Sequence, residues 1–172
     1  MICLTLLGIG VARSAKGLPR LPELLGKDLN AMLVALPEAV SGTPALLVVG
    51  FTRASSGACE VWQKGLEESG ELGARCPIFG LVELEGAPFF VPGLVRQSMK
   101  GRLPPAIWGR ILLLREGSQA LKQAVGFDPV AADDPYLALL DAHGGIQWVF
   151  HGPKGPEAKA ALNARLGRLW DR

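Results

Sequence analysis

Few side chains in this sequence have both the type and the setting for chemistry. They are the cysteines Cys3, Cys59 and Cys76, the histidines His143 and His151, and the hydroxyl pair Ser55-Ser56. Cys59 has the most suggestive setting. A continuous apolar run from Ala45 to Phe51 reads as a strand buried on both faces. A polar turn follows over Thr52 to Gly57, and a helix opens near Ala58, with Val61, Trp62 and Leu66 at helical spacing. Free N–H groups and the helix dipole favour an anion at such a point. Ser55 and Ser56 stand at the same helix start, where a hydroxyl commonly acts as a cap. No Ser-His-Asp set is legible, because His143 falls in a turn and His151 at a strand end. The separated histidines and cysteines have no metal-ligand spacing, and no glycine-rich phosphate loop is present, so neither a metal nor a cofactor is expected. Cys59 and Cys76 stand at opposite ends of a helix of about 15 residues, roughly 20 Å apart and beyond disulfide reach.

The elements that must position this segment alternate along the chain. Lys16 to Leu36 is rich in Leu and Pro, and Leu24 to Val40 reads as a hairpin turning at Gly26-Lys27-Asp28, then a turn of helix. The helix after the central strand is expected to run to Leu72 and stop near Gly73. Pro77 to Leu84 reads as a second strand. Val91, Leu94, Val95 and Met99 mark a helix that Pro104-Pro105 ends. Arg110 to Arg115 is a third strand candidate, and Gly117 to Val125 a helix with Ser118 as its cap. After a loop from Asp128 to Asp134, Pro135 to Gly152 is a hairpin around His143-Gly144-Gly145. Pro156 opens a last helix that buries Ala161, Leu162, Leu166 and Leu169. Strands alternating with helices imply an α/β class with a parallel sheet, and the closing hairpin adds an antiparallel edge.

These landmarks carry a resemblance. Phe51-Thr52-Arg53-Ala54-Ser55-Ser56-Gly57-Ala58-Cys59 resembles the active-site segment of the thioredoxin superfamily, Phe-Trp-Ala-x-Trp-Cys-Gly-Pro-Cys. Gly57 and Cys59 match, Ser56 stands in the slot of the attacking cysteine, and Ala58 stands in that of the proline. Leu36-Pro37 and Gly42-Thr43-Pro44 resemble the approach to the central strand in extracytoplasmic, TlpA-like redoxins. Pro135 to Trp148, with Leu139-Leu140-Asp141 and Ile146, resembles the family's cis-proline strand and following hairpin. The resemblance implies a thioredoxin fold, a central mixed sheet flanked by helices, here with an N-terminal hairpin extension. It also implies a thiol-disulfide oxidoreductase ancestry and a substrate groove formed by Ser55, Gly57, Ala58, Asp134 and Pro135, with Asp134-Pro135 as the cis-proline bond and the Asp134 backbone open to strand-like pairing. The family's second cysteine, the slot of Cys59, is usually shielded. Thr52 matches the Thr of the peroxiredoxin Thr-x-x-Cys site, but Ser55 holds the cysteine slot, which argues against peroxidase chemistry. Phe90 to Gly152 also looks like the mitochondrial-type ATP synthase assembly factors, thioredoxin-like proteins without an intact Cys-x-x-Cys.

Composition narrows the partners. A formal net charge of +2 is too small to imply nucleic acid. Arg96, Lys100, Arg102 and Arg110 make a basic stretch that is either a solvated face or a partner surface. Met1 to Val11 is apolar and uncharged, and Ala12 and Ser14 could supply the small residues of a cleavage site. Residues 1–15 therefore read as a leader or anchor remnant, or as a first strand, and residues 16–172 as a single domain. An extracytoplasmic or membrane-associated place is expected, without excluding the cytoplasm. Two functions stay open. One is a thiol-redox protein in which Cys59 acts alone or with an outside thiol, on a protein or peptide thiol or disulfide. Its two-cysteine activity would be lost, since a serine without a general base is a poor nucleophile and Ser56 carries no sulfur. The other is a non-catalytic binding or assembly factor, or chaperone, that holds an extended peptide in the groove.

Overall fold

The computed structural model describes residues 19–70 and 72–170. The expected leader or first strand lies outside the described residues. The strands are β1 (Leu24–Asp28), β2 (Leu33–Leu36), β3 (Ala45–Gly50), β4 (Ile78–Glu83), β5 (Ile111–Leu114), β6 (Tyr136–Leu140) and β7 (Ile146–His151). The helices are α1 (Ser56–Ser69), α2 (Val91–Lys100), α3 (Ser118–Val125) and α4 (Pro156–Trp170). All seven strands form one sheet in the order β2-β1-β5-β4-β3-β6-β7. The pairs β3/β4 and β4/β5 are parallel, and the other neighbours run antiparallel, as the alternating pattern and closing hairpin require.

The strand pleat sorts the core into layers. Ala45, Leu47 and Val49 of β3 pack with Leu121, Ala124 and Val125 of α3. Leu46 and Val48 point the other way, onto Trp62 and Leu66 of α1 and Leu162 and Leu166 of α4. Farther along that second face, Ile111 and Leu113 of β5 meet Val95 and Met99 of the α2 segment. α2 thus lies over the same face of the sheet as α1. Two ion pairs join α1 to the α2 segment and the residues after it. Arg102 Nη1 lies 2.9 Å from Glu60 Oε1, and Arg110 grips Glu67 with both terminal nitrogens, at 2.9 and 3.3 Å. Lys100 Nζ sits 4.5 Å from the centre of the Trp108 ring. Three residues of the basic stretch are therefore engaged within the fold.

Several boundaries differ from the sequence expectation for local reasons. α1 begins at Ser56, not Ala58, and stops at Gly70, whose φ of 64° ends it before Gly73. The first hairpin does not turn at Gly26-Lys27-Asp28, which belong to β1. Gly26 is needed for close approach: a Cβ there would lie 2.9 Å from Leu114 Cδ2 and 3.1 Å from Leu112 Cβ. The turn comes after Asp28, whose Oδ1 accepts from the Asn30 and Met32 amides at 2.8 and 2.9 Å. Ser118 does not cap α3 but is its first residue. The cap comes from Glu85, whose Oε2 accepts from the Ser118 amide at 2.8 Å.

Candidate functional site

The segment from Thr52 to Cys59 sits where β3 ends and α1 begins. Ser55 precedes α1 with helical backbone angles, so neither serine turns forward to cap the helix as expected. Both hydroxyls turn back into the preceding turn: Ser55 Oγ donates to the Thr52 carbonyl at 2.7 Å, and Ser56 Oγ to the Arg53 carbonyl at 2.8 Å. Thr52 Oγ1 accepts from the Ser55 amide at 3.2 Å and donates to Asp133 Oδ1 at 2.7 Å. That last bond ties the turn to the loop before β6. Ser55 is fully buried, while Arg53, Ala54 and Gly57 are exposed.

Cys59 is one turn into the helix, with its sulfur against the end of β3. A Cβ on Gly50 would lie 2.9 Å from Ser55 Oγ and 3.2 Å from Cys59 Sγ, so glycine leaves the room these groups occupy. Burial pushes the Cys59 thiol up to about 12, a hydrogen bond with Ser55 opposes the rise, and the charge of Glu60 adds to it. Desolvation therefore outweighs the hydrogen bond from Ser55. Cys76 is fully buried just before β4, and burial pushes its thiol up to about 12 as well. Both are free thiols.

Asp134 and Pro135 are placed differently from the sequence expectation. Among the described residues the cis X-Pro bond is Leu36-Pro37, and Asp134-Pro135 is trans. The short turn at Pro129–Ala131 leads directly into β6: the Asp134 amide donates to the Ala131 carbonyl at 3.0 Å, and the Pro135 carbonyl accepts from Gly152 at 3.2 Å. The Asp134 amide is thus already committed, and Pro135 is buried. Asp134 Oδ2 lies 2.9 Å from His151 Nδ1, and the His151 ring stacks on Tyr136. His143 is exposed in the β6–β7 turn, which Asp141 organises by accepting from the His143 and Gly145 amides at 2.8 and 2.9 Å. Among the described residues, no group of three or more His, Cys, Asp or Glu could hold a metal ion.

The open space lies on the other side of Cys59. A cleft of about 750 Å³ runs between α1 and α2, with Thr52, Ser56, Gly57, Cys59 and Gln63 along one wall and Leu94, Val95 and Met99 among the residues of the other. Sequence reasoning missed Gln63 and this cleft. Two local signals pointed to them: Gln63 lies four residues after Cys59, on the same face of α1, and Gly80 interrupts the apolar β4 run.

No protein-family model matches the sequence, and no curated protein matches it. Solved structures do match in shape. The thioredoxin domain of a thiol-disulfide oxidoreductase from Bacteroides vulgatus superposes with a TM-score of 0.58 at 17% identity, covering 88% of this chain and 98% of that one. An exposed lipoprotein thioredoxin from Streptococcus pneumoniae gives 0.54 at 17% identity, covering 85% and 99%. A member of the Sco family of cytochrome c oxidase assembly proteins gives 0.56 at 12% identity, covering 88% and 95%. At such identities the likeness is one of architecture, and by its sheet order and flanking helices this chain has the thioredoxin fold, extended at its N-terminal side by the β1–β2 hairpin.

Proposed function

We propose that this chain is a thioredoxin-fold binding protein of thiol-disulfide oxidoreductase ancestry whose own two-cysteine cycle has been lost. The state of Cys59 carries the reading: it is half-buried, and desolvation pushes its thiol up to about 12, which disfavours a thiolate at neutral pH. Thiol-disulfide exchange needs a thiolate to attack, and the residue three positions earlier is Ser56, whose hydroxyl is bound to the Arg53 carbonyl. What remains is a turn and helix start whose exposed Arg53, Ala54 and Gly57 face a partner protein or peptide. An extracytoplasmic place agrees with the apolar Met1 to Val11 segment and with the lipoprotein thioredoxin among the structural neighbours. Among the described residues, no helix is long and apolar enough to cross a membrane.

The test is alkylation of the folded protein with iodoacetamide across a pH series, read at Cys59 by mass spectrometry. Slow modification at neutral pH, quickening only in strongly alkaline buffer, is the expected result. Rapid modification at neutral pH would overturn the reading and make Cys59 a single-cysteine redox centre. The ancestry has its own test: Ser56→Cys should gain measurable disulfide-reductase activity, and a folded Ser56→Cys protein without any would remove it.

A further inference from the structure

We propose that the α1–α2 cleft is a binding site for an uncharged small molecule with an apolar body and a carbonyl group. Its size of about 750 Å³ falls in the range of small-molecule pockets, roughly 300 to 1,000 Å³. The walls are mainly aliphatic, from Val82 of β4, Ile111 of β5 and Leu94, Val95 and Met99 of α2. Of the charged groups in the lining, Arg102 is paired with Glu60, and the others are the exposed Arg53 and the half-buried Glu83. The two arginines and two glutamates cancel, so the cleft offers an ion of either sign no net attraction.

Gln63 points to the polar part of the ligand. It is only 4% exposed, it forms part of the cleft wall, and its Nε2 has no hydrogen-bond partner among the described residues. A buried amide left without a partner is costly, and most such groups in folded proteins are satisfied. The backbone makes room for this one: a Cβ on Gly80 would lie 2.6 Å from Gln63 Oε1, so any larger residue in β4 would displace the side chain. The space a side chain at Gly80 would take is filled instead by Gln63 and Ile111, which form the floor between the two helices. A turn of the Gln63 side chain towards the cleft lets a ligand carbonyl accept from Nε2 while its apolar body covers the wall of α2, which is otherwise left half open by exposed Leu94. The site does not depend on whether Cys59 reacts.

The experiment is a titration of the full chain with octanamide, followed by NMR of the Gln63 side-chain amide, with heptane as the uncharged probe that has the same alkyl chain and no acceptor. The expected result is a saturable shift with octanamide and none with heptane. Gln63→Leu, which keeps the volume and removes the donor, should weaken octanamide binding roughly tenfold, the worth of one good hydrogen bond. Ser98→Trp, built from an exposed position on the α2 side of the cleft, should fill the space and abolish binding while the protein remains folded. Equal response to both probes, no saturable shift, or unchanged affinity in a folded Gln63→Leu protein would overturn the proposal. Its failure would leave the alkylation result on Cys59 untouched, so the two readings fall separately.

Discussion

Cys59 and Cys76 are the same chemical group in two positions, and burial acts on both in the same direction. Each thiol is pushed up from about 9 to about 12, with desolvation as the leading cause. The folded state therefore holds both protons more tightly than the unfolded chain does. The stability this contributes is intact below the ordinary thiol value near 9 and is lost as pH rises from there towards 12. The urea midpoint should accordingly fall above about pH 9, by up to about 1.4 kcal/mol per pH unit for each thiol. A Cys59→Ala/Cys76→Ala protein should show a shallower fall over the same interval. Identical pH profiles for the two proteins would show that neither thiol is held protonated by the fold. The residue types alone drew attention to Cys59 and placed a hydroxyl, not a sulfur, at Ser56. The sign of the shift at Cys59 was not legible, because it follows from desolvation by elements that no local pattern brings together.

At the scale of elements, local patterning located most strands and helices, while their ends were set by groups distant in sequence. α3 is the clearest case. Its start was legible as Gly117-Ser118, but its N-terminal amide is satisfied by Glu85, which lies 33 residues earlier in the chain. Loss of that carboxylate in Glu85→Ala should cost about 1 kcal/mol in urea denaturation, as for other removed helix caps. Amide exchange should rise first in the opening turn of α3. The neighbouring Glu116→Ala, which leaves this bond in place, should stay within about 0.5 kcal/mol of the parent. The first hairpin shows the same limit: Gly26 has the residue type of a turn, yet its role is to let β1 approach β5. The β6–β7 turn was read correctly because Asp141 makes its bonds within a few residues of itself.

Across the whole molecule, α1 is joined to the far end of the sheet by Trp62. The side chain is fully buried, its Nε1 donates to the Gly152 carbonyl at 3.0 Å, and its ring meets Phe150 edge-on. Trp62→Phe should cost about 2 kcal/mol, through the lost ring volume and an unsatisfied buried carbonyl. A denaturation midpoint equal to that of the parent would show that this link is not holding α1 in place. The sequence by itself determined the order of strands and helices, the buried central strand and the closing hairpin, because each is written in residue type and short-range period. The tertiary structure decided the rest: the desolvation of Cys59, the trans bond before Pro135, the ion pairs that occupy Arg102 and Arg110, and the cleft beside Gln63. Each of those depends on which surfaces meet when α1 and α2 fold onto one face of the sheet, and no local period encodes that meeting.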